Sequence, residues 1–190
     1  NILRKFRFTT ILIPQQFMLT NITSDTLSQL RSVIDQLTKD EYTSKLPILN
    51  HSSVGQHVRH VLEFYICLSE GIKSGIVNYD SRTRNQAIEN EPNYAMIILE
   101  ELTSYFCLKI NEEAPMVNMI EFNSLSITSQ SSVSRELVYL IEHSIHHYAI
   151  IAIALRNEFG HVKIPADFGV AYSTSRHKSN VAKKMSHNHY

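Results

Sequence analysis

Five of the ten histidines fall in two segments of helical periodicity: His57 and His60 in one, His143, His146 and His147 in the other. On a helix, residues four apart are turned by only about 40° and separated by roughly one turn of rise. His143 and His147 can therefore direct two imidazoles at the same ion, and one histidine from a neighbouring helix would complete a three-nitrogen donor set. Neutral imidazole is a common zinc ligand and also suits nickel, iron and copper. Three protein ligands leave one position open for water or substrate, which is the requirement of a catalytic site. A single histidine on an apolar face is, by contrast, usually a hydrogen-bonded core residue.

The second histidine segment is not the HExxH motif of zinc peptidases, because Ser144 follows His143 where that motif carries its glutamate base. At about 100° per residue, His143 and His147 share a face with Glu136, Leu140 and Ala154, whereas His146 is turned toward Tyr139 and Ile153 and reads as a bystander. In the first segment His57 lies at the edge of the apolar stripe. His60 lies farther round, between Phe64 and Cys67, so periodicity alone mildly favours His57 and leaves the third ligand open.

The elements that must position these residues are helices. Leu27, Leu30, Val33, Ile34 and Leu37 recur at helical spacing after Thr23 or Ser24, and this first helix is expected to end near residues 39–43. Ser52 or Ser53 can cap a second helix, with Val54, Val58, Val61, Leu62, Tyr65 and Leu68 on one stripe, running to Gly71 or Gly75. Residues 76–91 are polar and without period, which predicts a long connection. Asn90 and Pro92 open a third helix carrying Tyr94, Ile97, Ile98, Leu102, Tyr105 and Leu108 on one side. Leu125 and Ile127 alternate with Ser124, Ser126 and Thr128, as in a half-exposed strand of a short hairpin. A fourth helix begins near Ser132 and runs to Phe159, with Gly160 expected as a left-handed terminator. Its segment from Tyr148 to Leu155 is apolar on every side and predicts packing on several faces.

With 190 residues, five Gly, five Pro, no Trp and 43% hydrophobic residues, the chain reads as one helical domain. The net charge is zero. Basic residues collect at the ends (Arg4, Lys5 and Arg7; then four Lys or Arg after residue 165), leaving residues 21–165 with eleven basic and seventeen acidic residues. No predicted helix carries a basic stripe, so nucleic acid is not expected as a partner and ranks third behind an enzyme and a metal-stabilised bundle. Cys67 and Cys107 sit in apolar helical patterns and read as free, buried thiols of a reducing, cytoplasmic protein. Residues 4–14 resemble a leader peptide superficially, but Thr9 and Thr10 interrupt the apolar stretch and no small-residue cleavage site follows. The longest apolar run, Tyr148 to Leu155, is far short of the roughly 20 residues of a membrane span, so no membrane partner is expected. Disorder is expected after about Ser173, with His177, His187 and His189 solvated.

Three blocks together resemble the DinB-like family of bacterial four-helix-bundle metalloproteins. They are Ser53-Val54-Gly55-Gln56-His57-Val58-Arg59-His60-Val61-Leu62-Glu63, the loop Tyr79-Asp80-Ser81-Arg82-Thr83-Arg84, and Ser134-Arg135-Glu136-Leu137 leading into His143-Ser144-Ile145-His146-His147-Tyr148. Phe168-Gly169-Val170-Ala171-Tyr172-Ser173-Thr174 is similar to the C-terminal segment of one branch. The resemblance implies an all-α, antiparallel four-helix bundle over residues 21–176, with a long crossover between helices two and three. Residues 1–20 are then an N-terminal extension and 177–190 a basic, disordered tail. The family's ligand on helix two ends its motif and precedes an apolar residue, which corresponds to His60 here. Its ligands on the last helix correspond to His143 and His147.

The resemblance further implies a divalent metal ion (zinc, nickel or iron) and a thiol-dependent S-transferase acting on a small-molecule substrate. Its cofactor would be a low-molecular-weight thiol of the bacillithiol, mycothiol or glutathione type. A metal-dependent hydrolase and a non-catalytic, metal-stabilised homodimer are the alternatives. Glu63 reads as a solvated helix residue or as a carboxylate orienting a ligand imidazole. Glu136 lies about 10 Å along the axis from His143, which suits a residue lining the pocket but is too far for a base. Arg82 and Arg84 read as loop-solubilising cations or as attractors of an acidic thiol.

Overall fold

A helix leaves its first N–H groups and last C=O groups unpaired, and local side chains decide where it starts and stops. The computed structural model describes residues 18–108 and 110–177. Helix α1 spans Met18–Ile34, followed by the short α2 (Lys39–Thr43), a 3-10 turn (Pro47–Leu49) and α3 (Val54–Ser74). At the start of α3 a reciprocal capping box forms: the Gln56 N–H donates to Ser53 Oγ at 3.1 Å, and the Ser53 N–H donates to Gln56 Oε1 at 3.2 Å. Gly75 closes the helix at φ +77°, its N–H donating to the Gly71 carbonyl. Strand β1 (Ile76–Val77), α4 (Gln86–Asn90) and α5 (Pro92–Cys107) follow, then β2 (Pro115–Phe122), β3 (Leu125–Ser132) and α6 (Val133–Glu158). Ser132 caps α6 by accepting the Arg135 N–H at 3.2 Å.

The structure is mostly helical, and α1, α3, α5 and α6 bury their apolar faces against one another around one core. Advancing along α3, His57, His60 and Phe64 meet His147, His143 and Tyr139, so α3 and α6 run antiparallel. The connection from α3 to α5 carries the chain back to the level where α3 began. There Gly55 faces the Glu89 carbonyl so closely that a Cβ would lie 2.2 Å from its oxygen, and only glycine lets α4 sit this near α3. Beside the bundle lies a three-stranded sheet of order β1-β2-β3, with β1 parallel to β2 and β2 antiparallel to β3.

Several expectations need correction. The first helical stripe is two helices, because the chain leaves α1 after Ile34 and Thr38 caps α2 with its own box to Glu41. The unpatterned connection at 76–91 contains β1 and α4. Helix α5 has apolar residues on two sides, and packing against α1 and α3 selects Ala95, Leu99, Leu102 and Phe106; Tyr94, Ile97 and Leu108 are exposed, and the cap is Glu91 rather than Asn90. The hairpin at 115–132 forms, and both Leu125 and Ile127 are exposed. Gly160 is not left-handed: Phe159 ends α6, and among the described glycines only Gly75 and Gly169 have positive φ. Cys67 is half-buried and Cys107 exposed, both as free thiols.

The C-terminal segment is more ordered than its composition implies. Phe168 stacks on Tyr148 at 4.5 Å between ring centroids, residues 172–177 form a helical turn, and Ser175 Oγ donates to Asp167 Oδ1 at 2.7 Å. His177 is exposed; His187, His189 and most of the expected N-terminal extension lie outside the described residues. By length and composition α6 would suffice to cross a bilayer. In this fold its apolar face is instead packed on α1 and α3.

Candidate metal centre

The antiparallel packing of α3 on α6 brings the two histidine segments face to face. One ring nitrogen from each of His60, His143 and His147 lies within 4.8 Å of the others, and all three side chains are half-buried. His60 Nε2 is 2.9 Å from His143 Nε2, so these two nitrogens face a common point. The imidazoles of His143 and His147 stand one above the other on α6 at 4.7 Å between centroids, as the i, i+4 spacing requires. His146 is exposed on the neighbouring strip of the helix. His57 joins the cluster from outside the triad, its Nδ1 3.1 Å from His147 Nδ1 and its Nε2 buried without a hydrogen-bond partner.

Burial keeps these rings neutral. The His60 imidazole is pushed down to about 4, first by desolvation and then by the neighbouring His143 and Arg82. That of His147 is pushed down to about 3 by desolvation, then by His60, His143 and His57. His57 and His143 are lowered in the same way, with burial the largest cause. At neutral pH every ring therefore keeps a lone pair, the form in which imidazole ligates a metal. Two nitrogens on one zinc ion, each at about 2.0–2.1 Å, stand no more than about 4.2 Å apart. The triad is close to that spacing, and its donor set of neutral nitrogens fits a divalent ion of borderline softness.

An aromatic frame fixes the site on one side. Phe64 lies one turn beyond His60 and is stacked between His143 (4.5 Å, 22°) and Tyr79 (4.9 Å, 7°), and Tyr139 stacks on His143 at 5.6 Å. Tyr79 is held by donating its hydroxyl proton to Glu136 Oε2 at 2.9 Å. Glu136 is fully buried and also accepts from Asn118, Ser131 and Arg135, tying the hairpin to the start of α6. It is therefore an anchor for the frame. Phe64 was detectable from its i, i+4 relation to His60; Tyr79 carried no periodic signal, because a loop places it.

Glu63 is neither solvated nor in contact with a ligand imidazole, contrary to both expectations. It is 3% exposed, accepts the Asn85 N–H at 2.6 Å, and lies between Arg59 and Arg82 at 3.8 and 3.6 Å. Burial raises its carboxyl above the usual range despite these cations. Arg84 is exposed, as a solubilising cation would be. Arg82 is not: it donates to the Tyr79 carbonyl at 2.9 Å, lies over the Phe64 ring, and brings Nη2 to 3.4 Å from His60 Nδ1.

Three neutral imidazoles from two antiparallel helices thus converge inside a helical bundle, a donor set that could hold a divalent metal ion. The chain belongs to the DinB family, whose model matches residues 15–179. It is also similar to FK506-binding protein 5 of Rhizopus delemar, with 38% identity over 107 residues, 54% of this chain and 27% of that protein. The chain thus spans about a quarter of the length of that curated relative. No solved structure matches the chain.

Proposed function

We propose that this DinB family member holds a divalent metal ion on His60, His143 and His147 and uses it to transfer a low-molecular-weight thiol to an electrophilic small molecule. The convergence of three ring nitrogens within 4.8 Å carries the metal reading. Family membership and the resemblance to thiol-dependent transferases support the choice of reaction. When bound, the metal supplies a Lewis acid that lowers the pKa of a thiol or water at neutral pH.

The chain's own residues do the rest. His60, His143 and His147 stay neutral through burial and so remain ready to ligate. His57 Nδ1 can accept the Nδ1 proton of His147, which fixes that ring with its Nε2 lone pair directed away from His57. Phe64, Tyr79 and Tyr139 wall one side of the cluster with stacked rings. Cys67, on the same helix as His60, has its thiol pushed up to about 11 by burial, which makes it a poor nucleophile and favours a sulfur supplied from outside.

The reading is tested by loading the protein with zinc, nickel or iron(II) and following thiol consumption against 1-chloro-2,4-dinitrobenzene and monochlorobimane, with glutathione, bacillithiol and mycothiol as donors. Metal-dependent transfer that disappears in His60→Ala and His147→Ala supports it. Metal-dependent hydrolysis of ester probes with no thiol transfer would replace it with the hydrolase reading.

A further inference from the structure

Two ligand imidazoles of the proposed centre meet opposite partners at the nitrogen turned away from it. His147 Nδ1 faces His57 Nδ1, a group able to accept a proton. His60 Nδ1 faces Arg82 Nη2 at 3.4 Å, and a guanidinium can only donate. Without metal the second contact is satisfied if His60 carries its proton on Nε2, directed at His143 Nε2 at 2.9 Å. An imidazole that gives its Nε2 lone pair to a metal must carry its proton on Nδ1 instead. That proton would then face the Arg82 N–H, donor against donor, and Arg82 Nη2 would be left without its acceptor.

The charges around the site point the same way. Arg82 and Arg59 are matched by Glu63 and Glu89, Arg135 by Glu136, and burial keeps His57, His60, His143 and His147 neutral. A divalent ion therefore adds positive charge that no carboxylate in contact with the triad offsets. Arg82 is also placed to meet a ligand. Its side chain is 18% exposed, and among the described residues it is the one cation lining a cavity of about 370 Å³ between α3 and the crossover, which Glu63, Glu70, Cys67, Asn78 and Ser81 also line.

We infer that Arg82 recognises a carboxylate on the thiol or its co-substrate, and that metal loading of the triad releases its Nη2 donor to do so. This rests on the metal reading above and adds to it the class of ligand, a carboxylate-bearing small molecule, and an order of binding in which the metal precedes the anion. Arg84 is exposed, and its charge acts on Glu63 rather than on His60.

The experiment is calorimetric titration of metal-free and zinc-loaded protein with 3-mercaptopropionate and with its neutral isostere 3-mercaptopropionamide, metal content being measured after each titration. Zinc-loaded wild type is expected to bind the acid at least about tenfold more tightly than the amide, the size of one charge-assisted contact. Metal-free protein is expected to show no such preference. In Arg82→Gln the preference should collapse to about twofold or less, while Arg82→Lys keeps part of it and Arg84→Gln keeps it whole. A preference that survives in Arg82→Gln, or is absent from zinc-loaded wild type, overturns the inference and leaves the metal reading intact. Failure of wild type to take up zinc overturns both. Thermal melts of each variant show whether a loss reflects misfolding, and Arg82→Lys supplies a second, milder variant on the same question.

Discussion

His57 and His147 face each other through their Nδ1 atoms at 3.1 Å, across the interface of two antiparallel helices. Two such nitrogens can be this close only when one bears a proton and the other accepts it. If His147 gives Nε2 to the metal, it is the donor and His57 the acceptor. Replacing His57 with Phe is then expected to weaken zinc affinity by about 10- to 100-fold, the usual effect of losing a ligand's outer partner. His57→Asn, which restores an acceptor, should recover part of it. Competition against a chelating dye measures both, and an unchanged affinity in His57→Phe would contradict the assignment.

The metal-free protein should lose stability as pH falls from 7 to 5. His60 titrates at about 4 and His147 at about 3 in the folded protein, both depressed below the ordinary histidine value. Between those values and about 6.5 the unfolded chain binds more protons than the folded one, so stability rises with pH through this window and is complete above it. Melting temperatures of chelator-treated protein should fall from pH 7 to pH 5, and less steeply in a His60→Gln/His147→Gln variant. A flat profile in wild type would show that these rings are not buried neutral.

Glu136 is buried with four donors directed at it, from Tyr79, Asn118, Ser131 and Arg135. Glu136→Gln places an amide donor among these donors and is expected to cost about 1–3 kcal/mol in urea denaturation. Tyr79→Phe removes one bond only and should cost about 1 kcal/mol. A neutral Glu136→Gln would mean that this network does not hold the hairpin and crossover against α6.

The two thiols should differ in reactivity. Cys107 is exposed and should be alkylated by iodoacetamide within the time of a routine labelling reaction at pH 8, whereas Cys67 is half-buried with its thiol pushed up to about 11. Mass spectrometry after timed quenching is expected to find Cys107 modified first by a wide margin. Rapid modification of Cys67 would return it to consideration as an internal nucleophile.

The parts of this protein legible in the sequence are those fixed locally. The cap at Ser53, the stripe from Val54 to Leu68, the hairpin alternation around Leu125 and Ile127, and the i, i+4 pair His143 and His147 each follow from neighbouring residues. The pairing face of α5 was not legible, because its apolar residues occupy two sides and only α1 and α3 decide between them. The third ligand was ambiguous for a related reason: His57 and His60 both point toward α6, and the register against that helix, rather than periodicity, gives His60 the shared point with His143. The roles of Glu63, Arg82 and Glu136 are not legible locally, because key partners lie far along the chain. Asn85 and Tyr79 reach Glu63 and Glu136 only after the crossover has closed over α3.

The most direct test is the metal content of untagged protein by mass spectrometry, after incubation with zinc, nickel or iron(II) and exhaustive dialysis, for wild type and His60→Ala, His147→Ala and His57→Ala. Near-stoichiometric metal in wild type, a reduced but measurable content in His57→Ala, and its loss in His60→Ala and His147→Ala are the expected result. Wild type that retains no metal, or a His60→Ala variant that retains as much as wild type, would contradict the centre built on His60, His143 and His147.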